Sequence, residues 1–277
     1  MAADRIGQVI GGRFRIEAMV GHGAMARVYR ARDVVDDGEV AVKIMRGELR
    51  DPSTMARFAR EAAVQARIDH PNVAKLIGTG MTEAAEPYIA VEMLHGHTLR
   101  DALKRGGPLA PARAASFAWQ ALQGLAAVLR TGVLPRDLKP ANMMLVPGAE
   151  GGERVVLIDF GFASLEGAAK LTGPLMVVGS LRYIAPERLR DVIPDGRADL
   201  YAIGAILFEL VTGAPPFTGD DMELADAHLN DLPHSDPAIP PALAPVIMRA
   251  LAKDPDDRYA DADAMALAID LAARRLH

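Results

Sequence analysis

The pattern of apolar and polar positions changes character about a third of the way along the chain. The first ninety or so residues read mainly as strands: Phe14–Val20 and Ala26–Arg32 are short runs flanking Gly21-His22-Gly23, and predict a hairpin. Glu39–Met45 predicts another strand, entered through the turn-like Asp36-Asp37-Gly38. From Ser53 to Ile68 the period becomes helical: no breaker interrupts the run, Asp51-Pro52-Ser53 supplies a start signal, and Met55, Phe58, Ala62 and Ala66 fall on one face. Two further strands are predicted at Val73–Gly78 and Tyr88–Glu92.

Beyond Gly96 the pattern is helical. Ala112–Arg130 places Phe117, Ala121, Leu122, Leu125, Val128 and Leu129 on one broad face, and Asp261–Leu276 predicts a last amphipathic helix. Arg197–Thr212 is apolar nearly all round, the pattern of a helix buried in a core. Two β-like runs, Met143–Val146 and Val155–Ile158, are joined by the loop Pro147–Arg154. A small strand-rich half thus precedes a larger helical one, with the junction near Leu94–Gly96, and ligands favour such junctions.

Composition narrows the function classes. The chain has 277 residues, half of them apolar, and a net charge of −5 with no basic run, which argues against nucleic-acid binding. With no cysteine, disulfides, thiolate metal sites and a cysteine nucleophile are excluded, and a cytoplasmic location is compatible. The N-terminus lacks the apolar stretch of a signal peptide, and the most apolar window, Tyr201–Val211, is too short to span a bilayer.

Candidate chemistry lies in four places. Gly21 and Gly23, with Ala26 at the third position, would let backbone N–H groups approach phosphate oxygens, and Val28 would cap an adenine face. Lys43 ends the apolar run Val40-Ala41-Val42 and would neutralise phosphate charge, with Glu61 in the first helix as the carboxylate to hold it. Arg136-Asp137-Leu138-Lys139-Pro140-Ala141-Asn142 sets three polar groups at fixed offsets in a short loop. Leu157-Ile158-Asp159-Phe160-Gly161 then ends a strand on a carboxylate and a glycine that permits a sharp turn. Asn142 and Asp159 offer hard oxygen ligands suited to Mg²⁺ bridging phosphates. Taken singly, each has an ordinary reading as a hairpin turn, a snorkelling lysine, a solvated helix residue or a polar loop.

As an ordered set these motifs resemble the eukaryotic-type (Hanks-type) protein kinase family in its bacterial serine/threonine branch. The resemblance runs from about Phe14 to the end and includes His70-Pro71-Asn72, Ala185-Pro186-Glu187, Asp199 and Arg258. It implies one protein kinase domain of the α+β class. A small β-rich N-lobe with one helix is expected over residues 1–94, and a larger, mainly helical C-lobe over 95–277. It implies ATP with Mg²⁺ (Mn²⁺ as the second choice), protein substrates, and bacterial signalling from the cytoplasm, as a free kinase or as the cytoplasmic domain of a longer membrane kinase.

Residue by residue, the family's roles fall as follows. Val20, Gly21, His22, Gly23, Ala24, Met25, Ala26, Arg27, Val28 and Ala41 would surround the nucleotide; Lys43 would grip its α- and β-phosphates with Glu61 holding it. Val91 would be the gatekeeper, and Glu92 to Leu94 the hinge that pairs with adenine. Asp137 would accept the proton of the substrate hydroxyl, Lys139 would steady the γ-phosphate, and Asn142 and Asp159 would hold the metal. Glu187 and Arg258 would form a structural ion pair, and Asp199 would brace the catalytic loop. Lys139 within Asp-Leu-Lys-Pro, and Gly179-Ser180 with Tyr183, point to serine/threonine rather than tyrosine specificity.

Arg136 before Asp137 implies control by activation-segment phosphorylation, and among Ser164, Thr172 and Ser180 the expected autophosphorylation site is Thr172. A homodimer is one route to that reaction. Two departures from the family stand out: Pro135 where histidine is usual, and Gln65 one turn after Glu61. Both interrupt the packing column expected to contain Leu76 and Phe160, which predicts a less rigid active state. The competing readings are a pseudokinase scaffold that binds ATP and a small-molecule phosphotransferase.

Overall fold

The computed structural model describes residues 5–22, 26–45, 62, 65–135, 137–148, 151–159, 181–190 and 192–276. The chain divides into two compact units, residues 1–70 with 74–95, and residues 71–73 with 96–277.

In the first unit, six antiparallel strands form one sheet in the order β1-β2-β3-β4-β6-β5. They are β1 Val9–Ile10, β2 Phe14–His22, β3 Ala26–Asp33, β4 Glu39–Met45, β5 Leu76–Met81 and β6 Pro87–Glu92. The alternation is clearest on β4, where Val40, Val42 and Ile44 point into a core with Ile10, Phe14, Ile16, Tyr29, Ala31, Tyr88 and Ala90. Phe14 meets Tyr88 edge-on at 5.9 Å between ring centres. The hairpin strand β2 runs two residues past the predicted end, because Gly21 and His22 pair with Val28 and Arg27 beyond a register shift at Met19/Gly21.

The helix predicted over Ser53–Ile68 lies mostly outside the described residues; within them, the Ala66 N–H donates to the Ala62 carbonyl at 2.9 Å. The strand predicted from Val73 begins only at Leu76. Val73 instead forms an isolated parallel bridge with Leu157, because Pro71–Val73 are anchored in the second unit. There the buried Asn72 side chain donates to the Val155 carbonyl at 2.7 Å, and the Leu157 N–H donates to the Asn72 carbonyl at 2.9 Å.

The second unit carries a small sheet of β7 His97–Thr98, β8 Met143–Pro147 and β9 Glu153–Leu157. Its helices are α1 Leu99–Gly106, α2 Pro111–Leu129, α3 Pro186–Leu189, α4 Arg197–Thr212, α5 Asp221–Asn230, α6 Ala244–Ala250 and α7 Ala262–Ala273. Short 3-10 turns occupy Pro140–Asn142 and Leu181–Tyr183. Every residue of α4 from Ala198 to Val211 is buried, as its pattern predicts, and it stops where Gly213 turns left-handed at φ 85°. Helix α2 approaches the backbone of Asn72 so closely that a Cβ on Gly124 would lie 2.6 Å from the Asn72 carbonyl oxygen. Strand β9 ends at Leu157 rather than Ile158 because the Ile158 N–H is drawn to the Asn142 carbonyl at 2.9 Å.

Candidate active site

In the first unit, sheet register decides which of the predicted nucleotide residues come together. Lys43 pairs with Val28 on β3 and Ile89 on β6; Ala41 pairs with Val91, Ala26 with Met45 and Gly21 with Val28. Cross-strand partners share a face, and so do residues two apart on a strand. Gly21, Ala26, Val28, Ala41, Lys43 and Val91 therefore occupy one face of the sheet, opposite that of Val42 and Ile44. His22, Arg27 and Glu92 fall on the other face, through the pairs His22 with Arg27 and Val40 with Glu92. Val20 is exposed in the register shift of β2, and Leu94 lies just past β6. Glu92 is tied to Lys75 twice, its N–H donating to the Lys75 carbonyl and its carboxylate accepting the Lys75 N–H, both at 2.9 Å. Gly23, Ala24, Met25 and Glu61 lie outside the described residues.

In the second unit, Asp137, Lys139 and Asn142 converge around the 3-10 turn, and Asp159 follows Ile158, which is bonded to Asn142. The Lys139 ammonium meets the Asp137 carboxylate at 2.6 Å. The Asn142 amide donates to the Asp137 backbone carbonyl at 2.9 Å and reaches its carboxylate at 3.3 Å. The Asp137 N–H is itself bonded to the carbonyl of the buried Pro135 at 2.8 Å, so a residue without an N–H of its own still fixes the loop through its acceptor. Next to this loop, the hydrogen bond from Ile158 to Asn142 ends β9, and Asp159 follows in the left-handed region at φ 58°. A non-glycine residue there is strained, and such strain concentrates at functional sites.

With the Asn142 Nδ2 donating to Asp137, the amide oxygen of Asn142 and the carboxylate of Asp159 are the oxygens here that could meet a hard cation. Among the described residues no group of three or more His, Cys, Asp or Glu side chains forms a metal cage. Two protein oxygens suit a divalent ion whose remaining ligands are nucleotide phosphates and water.

A sequence profile for the protein kinase domain matches residues 14–268. The chain belongs to the protein kinase family. It is similar to the serine/threonine-protein kinase pkn3 of Myxococcus xanthus, with 37% identity covering 99% of this chain and 53% of the relative. It is also similar to the serine/threonine-protein kinase PknB of Mycolicibacterium smegmatis, with 37% identity over 93% of this chain and 42% of the relative. The chain thus spans about half or less of the curated relatives it matches. The crystal structure of the Mycobacterium tuberculosis PknI kinase domain superposes with a TM-score of 0.73 at 27% identity, covering 97% of this chain and 99% of that one. The fold is the protein kinase fold, with a β-sheet N-lobe and a helical C-lobe. ATP, a divalent metal and protein substrates belong to this family. No helix among the described residues is long and apolar enough to cross a membrane.

Within the kinase C-lobe, the expected ion pair is present: the Arg258 guanidinium grips both oxygens of Glu187 at 2.8 Å each, with the arginine side chain wholly buried. Asp199 is buried in the first turn of α4. Arg136, Phe160, Gly161, Ser164, Thr172 and Ser180 lie outside the described residues. Gln65, at the second departure from the family, is buried, and its side-chain oxygen has no hydrogen-bond partner among the described residues. Sequence reasoning missed a network around Tyr183. Its hydroxyl donates to Glu209 at 2.6 Å, and Arg100 bonds both Tyr183 and Glu209, the latter at 2.8 Å. Burial first, then the Glu209 carboxylate, pushes the Tyr183 phenol far above its ordinary pKa.

Proposed function

We propose that this domain transfers the γ-phosphoryl group of ATP to serine and threonine hydroxyls of proteins, itself included, in bacterial signalling. The observation that carries the reading is the loop geometry: one carboxylate, Asp137, held by Lys139 at 2.6 Å and by Asn142 at 3.3 Å, beside an Asp159 kept in a left-handed conformation. Asp137 orients the acceptor hydroxyl and takes its proton as the new O–P bond forms and the terminal phosphoanhydride bond of ATP breaks, releasing ADP. Lys139, paired with that carboxylate at 2.6 Å, steadies the charge redistributed on the phosphoryl oxygens. Asn142 and Asp159 hold the divalent ion, with Mg²⁺ preferred and Mn²⁺ as substitute; when bound it supplies charge neutralisation at the phosphates. On the sheet, Lys43 grips phosphate oxygens with Glu61 as its partner. Gly21, Ala26, Val28 and Ala41, on the Lys43 face, enclose the nucleotide, with the rest of the 20–28 hairpin contributing backbone only; Val91 is the gatekeeper, and Glu92 to Leu94 pair with adenine. The N-lobe is taken as residues 1–94 and the C-lobe as 95–277.

Thr172 is the main autophosphorylation site, and two copies meet to modify one another, from a position in the cytoplasm. The relatives compared include named serine/threonine kinases, and none of them favours a scaffold without transfer. Labelled-ATP transfer to the protein itself and to a serine/threonine acceptor tests the reading. Asp137→Asn is expected to lower the rate by about two to four orders of magnitude while nucleotide binding persists. Nucleotide binding without transfer by the unmodified protein would overturn it, and phosphate found only on Ser164 would overturn the assignment of Thr172.

A further inference from the structure

Arg100 sits where a helix has little use for it. It is the second residue of α1, near the positive end of the helix dipole, where an acidic side chain is favoured and a cation is not. Its guanidinium reaches Glu209 on α4 instead, Nη1 donating to Oε1 at 2.8 Å and Nη2 to Oε2 at 3.1 Å. Nη2 also donates to the hydroxyl of Tyr183, and that hydroxyl donates to Glu209 Oε2 at 2.6 Å. The three side chains thus close a ring of hydrogen bonds that joins α1, α4 and the Leu181–Tyr183 turn. From Leu200 to Val211 only Tyr201 and Glu209 carry polar side-chain atoms, so Glu209 sets a carboxylate in an otherwise apolar buried helix. An apolar residue would avoid the desolvation of that charge. The carboxylate has a use if it fixes the turn that carries Tyr183.

We propose that Arg100 is a positioning residue for the protein acceptor: through Glu209 it holds Tyr183, and with it the Leu181–Tyr183 turn, in one arrangement. The inference rests on the kinase reading above, in which this turn follows Ser180 and leads into Ala185-Pro186-Glu187, the stretch that presents the acceptor hydroxyl. Leu181 and Ile184 pack with Phe217, Leu224 and Ala227, an apolar contact that tolerates small shifts. Directional bonds to Tyr183, between those two residues, remove that freedom. The Arg100 side chain is also the ring's way in from solvent, 24% exposed against 3% for Glu209 and 4% for Tyr183. Removing it opens a place of guanidinium size, faced by the Glu209 carboxylate and the Tyr183 hydroxyl.

That place can be refilled from solution, which separates positioning from a general loss of structure. With the Asp137→Asn form of this chain as acceptor, we expect Arg100→Ala to raise the acceptor KM about tenfold while the ATP KM stays within about twofold. About 50 mM guanidinium chloride brings the acceptor KM back to within about threefold, and the same concentration of sodium chloride does not. Amide hydrogen exchange across residues 181–190 follows the same order, faster in Arg100→Ala and slowed again by guanidinium. Adding Glu209→Gln to Arg100→Ala removes the stranded charge, so that this form folds even where the single variant does not. Its acceptor KM stays high and guanidinium does not lower it, because no carboxylate is left to hold the ion. An Arg100→Ala protein with unchanged acceptor KM and unchanged exchange overturns the proposal. So do an ATP KM that rises in step with the acceptor KM, a loss that guanidinium does not restore or that sodium restores equally, and a double variant with a normal acceptor KM or one that guanidinium rescues. Unmodified protein that labels neither itself nor the Asp137→Asn form overturns the kinase reading instead. The exchange comparison needs no turnover and decides the hold on the turn by itself.

Discussion

Replacing Arg258 by leucine removes the one fully buried cation among the described residues of the second unit. The guanidinium makes two bonds of 2.8 Å to Glu187 and donates to the carbonyls of Ala252 at 2.8 Å, Arg197 at 3.0 Å and Lys253 at 3.3 Å. It also lies 4.9 Å from the centre of the Tyr201 ring. Leucine fills part of the volume, but it leaves the Glu187 carboxylate buried without its counter-ion and takes a donor from three carbonyls. Removing one member of a buried pair costs about 3–5 kcal/mol, most of it from the stranded partner. Against a total stability of about 5–15 kcal/mol for a domain, that is enough to lower the urea midpoint markedly.

The reasoning has a sharper consequence in the double variant. If the cost comes from a stranded charge, Glu187→Leu added to Arg258→Leu removes that charge and recovers about 2 kcal/mol or more. Urea unfolding of the unmodified protein, both single variants and the double variant measures the coupling directly. An Arg258→Leu loss below about 1 kcal/mol, or a double variant that loses as much as the two single ones together, would refute the account.

Three further outcomes are expected. Gly124→Ala should destabilise by about 1–3 kcal/mol in thermal or urea unfolding, because its Cβ would meet the Asn72 backbone at 2.6 Å and neither α2 nor β9 can yield alone. Asn72→Ala should cost a similar amount, about 1–3 kcal/mol, by leaving the buried Val155 carbonyl without its 2.7 Å donor; an unchanged midpoint would show that water replaces the amide. Burial, with the Lys253 charge nearby, holds the His228 imidazole down to about 4 from 6.5, so it folds neutral. Its contribution is full above pH 6.5 and is lost as pH falls through 4, a span worth about 3 kcal/mol. His228→Gln should flatten the pH dependence of urea stability in that window alone, and parallel curves for the two proteins would count against it.

Long periodic elements were legible in the sequence because their burial is one-sided or complete: β2 to β4 alternate, α2 carries a broad stripe and α4 is apolar all round. The short helices α1 and α5 were not, since eight or ten residues make too few turns for a period to stand out from the neighbouring loops. Their signals were the capping boxes, Thr98 with Asp101 and Asp220 with Glu223, in which each side chain accepts from the backbone at the helix start. The false start of β5 at Val73 has a tertiary cause, the grip of Asn72 on β9. Asp137, Lys139 and Asn142 were legible as a unit because they lie within six residues. Arg100, Tyr183 and Glu209 were not, for the chain separates Arg100 from Tyr183 by 83 positions.

The polar groups beneath the Leu181–Tyr183 turn and Glu187 form connected sets. Glu187 on α3 holds Arg258; Arg258 lies over the Tyr201 ring; and Tyr201 shares its hydroxyl with His228. On the other side of the same turn, Tyr183 is held by Glu209 and Arg100. Tyr183 and Glu187 are therefore each held by buried polar contacts whose geometry is directional, where apolar packing alone would be tolerant of small shifts. A polar foundation is less stable than an apolar one of the same volume, but it fixes one arrangement.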